Sequence, residues 1–185
     1  MKGTPSDPSR LPPTLSFMSI NVGRGGSAHD IALSRAYVLG VDVLLIQEPL
    51  WQKRTKTTKS HPGYICHTPT GGVDVRPRAV TYTRKSNRIL SAIQIFPCAT
   101  PTGDYCWVVV NGITFCNVYK APNNSTAIRP LVSWLPPQNS VAAGDFNAVH
   151  WAWQPGTTRP YGQGEEIERW AESHNLTCFI FGEPT

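Results

Sequence analysis

From Leu15 to Pro49 the chain reads as strand, helix, strand, and that unit leaves few folds open. Leu15-Ser16-Phe17-Met18-Ser19-Ile20 alternates as a strand does and stops at Asn21. Val22-Gly23-Arg24-Gly25-Gly26 is a tight glycine-rich turn. It fits neither phosphate-loop glycine pattern and is given no nucleotide role. Ser27 stands where it can cap a helix whose apolar residues Ile31, Ala32, Ala36 and Leu39 share a face, and Gly40 ends that helix. Val41 to Ile46 is an apolar run suited to a buried strand, halted at Gln47-Glu48-Pro49. Two strands joined through a helix lie parallel as neighbours. Parallel neighbours end at the same sheet edge, so Asn21 and Glu48 are expected close together there. Ligands of open α/β sheets bind beyond the carboxyl ends of the strands. Taken singly, Glu48 reads better as a solvated carboxylate after a strand, and Asn21 as a turn former.

A second strand end has the same character. Val141-Ala142-Ala143 is a small apolar run that breaks at Gly144 and is followed by Asp145, Phe146 and Asn147. Residues two apart on a strand share a face, which sends Asp145 and Asn147 into one site and turns Phe146 back into the protein. Gly144 leaves room for a substrate or metal to approach the backbone. The competing reading is an Asx-type turn that closes the strand.

Between these ends lie short strands and turns. Trp51 to Pro62 is a polar loop carrying Lys53, Arg54, Lys56 and Lys59, and it serves either phosphate contact or plain solvation. Strands are expected over Ala79–Thr83, Ile89–Phe96, Tyr105–Val110 and Ile113–Tyr119, with Asn111-Gly112 as a two-residue hairpin turn. Arg76, Arg78, Arg84, Lys85 and Arg88 add to the basic character. Tyr119 ends its strand and either offers a hydroxyl to a phosphate or is a strand-end aromatic. Ala127 to Leu135 reads as a short helix interrupted by Pro130, Gly164 to His174 as a helix with Ile167 and Trp170 on one face, and Leu176 to Phe181 as a strand.

A chain of 185 residues with 40% hydrophobic and 16% charged residues suits one globular domain, with residues 1–13 as a flexible lead-in. The net charge of +5 favours a polyanionic partner, nucleic acid first among them. Five cysteines with no Cys-x-x-Cys read as reduced thiols of an intracellular protein and argue against a zinc site. No signal peptide and no membrane-spanning run is apparent. Strand ends thus supply Asn21, Glu48, Tyr119, Asp145 and Asn147. These hard oxygen and amide groups suit Mg²⁺ or Mn²⁺, with no small-molecule cofactor called for.

In that order, Ser-Ile-Asn21-Val, Gln47-Glu48-Pro49, Val-Tyr119-Lys-Ala-Pro-Asn and Gly144-Asp145-Phe146-Asn147-Ala148 resemble the endonuclease/exonuclease/phosphatase superfamily. That superfamily includes the exonuclease III-like apurinic endonucleases and deoxyribonuclease I. Asn21-Val22-Gly23-Arg24-Gly25, Asp145-Phe146-Asn147-Ala148 with His150 and Trp153 following, and Asn175-Leu176-Thr177 leading to Gly182-Glu183-Pro184-Thr185 look like the endonuclease domain of non-LTR retrotransposons. The resemblance implies an α/β four-layer αββα sandwich of two mixed sheets flanked by helices. It implies that Glu48 is the principal metal ligand with Asn21 beside it. Tyr119 then touches the scissile phosphate, Asp145 orients or deprotonates the attacking water, and Asn147 contacts the phosphate as charge builds. Lys53, Arg54, Lys56, Lys59, Arg84, Lys85 and His150 are expected to contact nucleic acid. DNA is then the partner, nicked to prime reverse transcription, with a parent polyprotein carrying a reverse transcriptase and a nuclear site of action.

The family pattern ends in an Asp-His pair preceded by a further aspartate, yet no aspartate follows Asp145 in this chain. The resemblance therefore implies a domain over residues 14–185 truncated before that segment, incomplete in its second sheet and weak or inactive as a nuclease. The alternatives are a phosphoesterase of the same superfamily acting on another phosphate ester, or a non-catalytic remnant that binds nucleic acid weakly.

Overall fold

The expected parallel pair is present and begins the first of two sheets. The computed structural model describes residues 14–69, 75–98 and 102–179. Strand β1 (Phe17–Asn21) pairs in parallel with β2 (Val43–Gln47), setting Asn21 opposite Gln47. Helix α1 (Gly26–Val38) connects them. Its N-cap is Gly25 rather than Ser27, and its buried residues are His29, Ala32, Leu33 and Ala36. Ile31 (67% exposed) and Leu39 (56%) turn outward, so the expected apolar face is rotated. The cause is His29, a polar residue that goes inside because its ring finds two partners. Its Nδ1 accepts the Leu50 N–H at 3.3 Å, and its Nε2 lies 3.0 Å from the Tyr82 hydroxyl. Gly40, at φ +74°, turns the chain out of the helix as expected.

The polar loop after Glu48 holds a two-strand hairpin, β3 (Trp51–Gln52) and β4 (Thr57–Thr58). Strand β5 (Tyr64–His67), not foreseen from sequence, pairs antiparallel with β6 (Ala79–Arg84), and β6 pairs antiparallel with β2. The first sheet is thus mixed, in the order β1-β2-β6-β5.

The second sheet repeats this plan. Strand β7 (Ala92–Ile95) is shorter than the expected Ile89–Phe96 and pairs with β8 (Tyr105–Val110). Asn111-Gly112 turns β8 into β9 (Ile113–Tyr119), with both residues at positive φ as a two-residue hairpin requires. The chain then runs through a 3₁₀ turn, Ser125–Ile128, capped by the Asn124 side chain, and helix α2 (Arg129–Val132). Pro130 sits in the first turn of α2, where its missing N–H costs nothing, so it starts this helix rather than interrupting one. Strand β10 (Ser140–Asp145) returns parallel to β9, giving the order β10-β9-β8-β7. Helix α3 (Gly164–Ser173) follows, with Ile167 and Trp170 buried as expected. Residues 176–179 form no strand, and 180–181, like the 1–13 lead-in, lie outside the described residues.

Three apolar clusters hold these pieces. One joins Ala32, Leu33 and Ala36 of α1 to Leu44, Ile46, Val80 and Tyr82 of the first sheet. A second lies between the sheets, where Val43, Leu45 and Ala79 meet Cys106, Val108 and Phe115. The third joins Tyr105, Trp107, Cys116 and Val118 to Leu131, Trp134, Ile167 and Trp170. Two mixed four-stranded sheets with helices on their outer faces follow from that sequence of clusters.

Gly144 has a structural reason to lack a side chain. It adopts φ +148°, and a Cβ there would collide with the carbonyl of Val118 on the neighbouring strand. The room expected for a ligand is taken by β9. Gly144→Ala should therefore destabilise the protein by at least about 2 kcal/mol, read from urea unfolding.

His29 makes stability depend on pH. Burial is the largest effect on its ring and lowers its pKa from 6.5 to about 4, against the pull of Asp30 and with help from Lys59. The unfolded chain then binds a proton between these values that the folded chain does not, so stability falls as pH drops through that window. Urea midpoints should decline from pH 7 to pH 4, and His29→Gln should flatten the decline.

Candidate active site

Four strand ends meet at one edge of the paired sheets. β1 ends in Asn21, β2 in Gln47 with Glu48 next, β9 in Tyr119 and β10 in Asp145. Register sets Asp145 opposite Tyr119 in the second sheet. Across the sheets, Asn21 Nδ2 donates to Asp145 Oδ2 at 2.7 Å. The Tyr119 hydroxyl hydrogen-bonds to Glu48, closing the group. The sequence expectation that Asn21, Glu48, Tyr119 and Asp145 share one site is therefore met in space.

The turns that carry these residues are tightly wound. Gly23 N–H donates to Asn21 Oδ1 at 2.8 Å, and Arg24 N–H donates to the Glu48 carbonyl at 2.7 Å. Arg24 (φ 64°), Glu48 (φ 48°) and Asn147 (φ 42°) all occupy left-handed backbone conformations. Such conformations cost non-glycine residues free energy and cluster at functional sites. Asn147 is held there by two bonds. Its N–H donates to Asp145 Oδ1 at 3.1 Å, and its Nδ2 donates to the Lys120 carbonyl at 2.9 Å. The Asx turn and the shared site thus coexist. The strand stops at Asp145, so strand alternation does not carry Asn147, and its side chain anchors the loop. Phe146 does turn back, packing against the third apolar cluster.

The two carboxylates differ in surroundings. Burial alone pushes the Glu48 carboxyl up. Hydrogen bonds from Tyr119 and Arg24, with the charges of Arg24 and Arg76, outweigh this and hold it below the usual range. Arg24 Nη2 lies 3.2 Å from Glu48 Oε1. Burial and the Glu48 bond and charge raise the Tyr119 phenol, against Arg78, so it stays a neutral donor. The Arg78 guanidinium stands 4.9 Å from the Tyr119 ring centre and forks onto Asp104 at 2.6 and 2.5 Å. Its main-chain carbonyl accepts the Glu48 N–H. Arg78 therefore steadies Glu48 and Tyr119 together.

Three contributors were not legible in sequence. Arg24 sat in a turn given no role. Arg78 looked like one more basic residue. Lys120 is wholly buried behind the site, its Nζ 3.4 Å from the Ala121 carbonyl and 3.5 Å from that of Asn147. Burial lowers its pKa, against the charges of Asp145 and Glu166. Nothing in the run Tyr119-Lys120-Ala121 sets it apart from an exposed lysine.

The expected nucleic-acid contacts are dispersed. Lys53, Arg54 and Lys56 are exposed on the β3–β4 hairpin, which leaves the first sheet directly after Glu48. Lys59 is engaged with Asp30 at 2.6 Å. Arg84 and Lys85 do not join this edge: Ala79 pairs with Gln47 beside Glu48, while Thr83 pairs with Val43 at the other end of the strand. His150 is 3% exposed and locked inside the protein, its Nδ1 accepting the Ala152 N–H and its Nε2 lying 3.1 Å from Glu165. It is a loop anchor, and Trp151 beside it is the exposed side chain.

Comparison with known proteins points to the same fold. A family described as endonuclease-reverse transcriptase matches residues 113–184, the segment that carries Tyr119, Asp145 and Asn147. No curated protein sequence matches the chain. Among solved structures, the endonuclease domain of TRAS1, a telomere-specific non-LTR retrotransposon, aligns with a TM-score of 0.71 and 19% identity over 91% of this chain and 74% of that one. An AP endonuclease from Archaeoglobus fulgidus aligns with a TM-score of 0.56 and 15% identity over 86% of this chain and 71% of its own. The 3′ phosphatase NExo from Neisseria, bound to a product DNA hairpin, aligns with a TM-score of 0.54 and 15% identity over 88% and 70%. The chain thus shares the fold of these two endonucleases and this phosphatase, and its residues 113–184 match the endonuclease-reverse transcriptase family.

Proposed function

We propose that the chain is the divalent-metal-dependent DNA endonuclease domain of a non-LTR retrotransposon, a phosphodiesterase that nicks target DNA so that the freed 3′-hydroxyl primes reverse transcription. The observation that carries this reading is the Asp145 carboxylate, with one oxygen bonded to Asn21 and the other to the Asn147 N–H, beside the Glu48–Tyr119 pair. A carboxylate held at both oxygens is fixed in orientation and suits alignment and deprotonation of a water.

The donor set fits Mg²⁺ or Mn²⁺. Such ions are held by one or two carboxylates and keep several waters. Glu48 provides a carboxylate below its usual pKa, and Asn21 Oδ1 accepts one bond from Gly23 and keeps a second lone pair. Among the described residues no cluster of three or more His, Cys, Asp or Glu offers a closed protein cage. Glu48 and Asn21 would therefore hold the ion with water. When bound, the ion supplies charge neutralisation at the phosphate.

The remaining roles belong to the chain's own groups. Tyr119, neutral at working pH, donates its hydroxyl to a phosphate oxygen. Asn147 has one amide hydrogen committed to the Lys120 carbonyl and offers the other to the phosphate. Lys53, Arg54 and Lys56 on the β3–β4 hairpin line the approach and take backbone phosphates. A reverse transcriptase in the same polyprotein is the natural consumer of the nicked end.

Three measurements test this. Mg²⁺-dependent relaxation of supercoiled plasmid should be lost in Glu48→Gln and Asp145→Ala with unchanged circular dichroism. Mn²⁺ binding, followed by the free-ion EPR signal, should weaken in Glu48→Gln and persist in Asp145→Ala; equal Mn²⁺ affinity in wild type and Glu48→Gln would reject the metal assignment. Duplex affinity should also fall steeply with salt, and less steeply once Lys53 and Arg54 are replaced by Ala, because each phosphate contact releases counterions.

A further inference from the structure

A pocket of about 480 Å³ lies at the end of the first sheet opposite Glu48, lined by Tyr37, His61, Pro62, Gly63, Arg84 and Lys85. The five-residue strand β2 separates it from the candidate active site, on the order of 15 Å. It cannot serve the phosphate held at Tyr119.

Its side chains form a built arrangement. Tyr37 and His61 have ring centres 4.8 Å apart, and Tyr64 meets both edge-on at 6.4 and 5.7 Å. Gly63 permits this: any Cβ there would collide with the Tyr37 ring. His61 Nδ1 accepts the Gly63 N–H at 3.1 Å, which leaves Nε2 as the ring's proton-bearing atom. The Arg84 guanidinium lies 4.5 Å from the Tyr37 ring centre, donates from Nη1 to the Tyr37 carbonyl and also hydrogen-bonds the Tyr64 hydroxyl, which leaves its remaining N–H groups for a ligand. Lys85 is exposed and has no ion-pair partner among the described residues. Among the described residues, no carboxylate lines the pocket. The acid nearest in sequence position across the sheet, Asp42, is buried and already bonded to Ser16 and paired with Arg88 at 3.2 Å.

We propose that this pocket is a second nucleic-acid site, which seats one base of a single strand against Tyr37 and His61 and the flanking phosphates on Arg84 and Lys85. Aromatic platforms next to cationic side chains bind single strands without regard to sequence, because every base has a π face. Rings and cations line one pocket, whereas an inorganic anion would use only the cations. The proposal stands whether or not the strand-end site cuts DNA.

The test uses the full 185-residue chain and the oligonucleotide (dT)8. In ¹⁵N NMR titrations, (dT)8 should shift the amides of Tyr37, Gly63 and Lys85. By fluorescence anisotropy, Tyr37→Leu and Lys85→Glu should each weaken (dT)8 binding about tenfold. Lys53→Glu, on the other edge, should weaken it less. Lys85→Glu is a surface change and should keep the wild-type melting temperature, so its effect reads binding alone. Shifts confined to Asn21, Glu48 and Asp145, or equal losses from Lys53→Glu and Lys85→Glu, would overturn the proposal. So would inorganic phosphate shifting the pocket amides as strongly as (dT)8 at equal concentration, since that marks a simple anion site.

Discussion

The two sheets are locked against each other by a pair of buried amides. Gln47 Nε2, from the first sheet, donates to Asn117 Oδ1, from the second, at 2.6 Å. Asn117 in turn donates to the carbonyls of Ile46 and Val80 at 3.2 and 2.8 Å. Both side chains are almost wholly buried, so neither has water to fall back on. Apolar faces tolerate sliding, because burial is non-directional. A hydrogen-bonded amide pair does not, since displacement leaves polar atoms unpaired in a low-dielectric core. Glu48 follows Gln47 by one residue and Tyr119 follows Asn117 by two. The lock therefore sets the approach of Glu48 to Tyr119, and with it the distance from Asn21 to Asp145.

Once the sheets are in register, the two carboxylates of the site have separate surroundings. Glu48 is met by a guanidinium, a phenol and the more distant charge of Arg76. Asp145 is met by a side-chain amide and a backbone N–H. Charged donors favour strong ionisation and cation exchange, whereas neutral donors orient without cancelling charge. The difference is built into the strand ends: the glycine-rich turn after β1 brings Arg24 to Glu48, and the turn after β10 folds Asn147 back onto Asp145.

Features with a local cause were legible in the sequence. The parallel pair that brings Asn21 to Glu48, the Asn-Gly hairpin and helix α3 follow from periodicity, turn chemistry and connection rules, whereas the family resemblance is what implies that Tyr119 and Asp145 join them. What was not legible depends on partners far away in the chain. His29 is buried because Tyr82 and Leu50 come to it, and that rotates α1 away from the face that Ile31 and Leu39 suggested. Gln47 and Asn117 look like ordinary polar residues until the sheets meet. Gly144 lacks a side chain because of Val118, a strand away. Arg84 and Lys85 were grouped with the basic hairpin by composition alone, and antiparallel pairing carries them to the other end. His150 was placed with DNA contacts by resemblance, yet the bond to Glu165 draws it inward.

The left-handed backbone at Arg24, Glu48 and Asn147 has a bearing on how such a domain ages under selection. At each position glycine would adopt the observed torsion without the steric cost that a side chain incurs. A screen for heat tolerance, blind to chemistry, would therefore be drawn to the residues that line the strand ends and would trade their functional groups for hydrogen atoms. A copy of this sequence freed from the need to act on a substrate should accept glycine at these three positions, as at left-handed turn residues elsewhere such as Gln163, while Gly144, where any Cβ meets the Val118 carbonyl, stays fixed as long as the chain still folds.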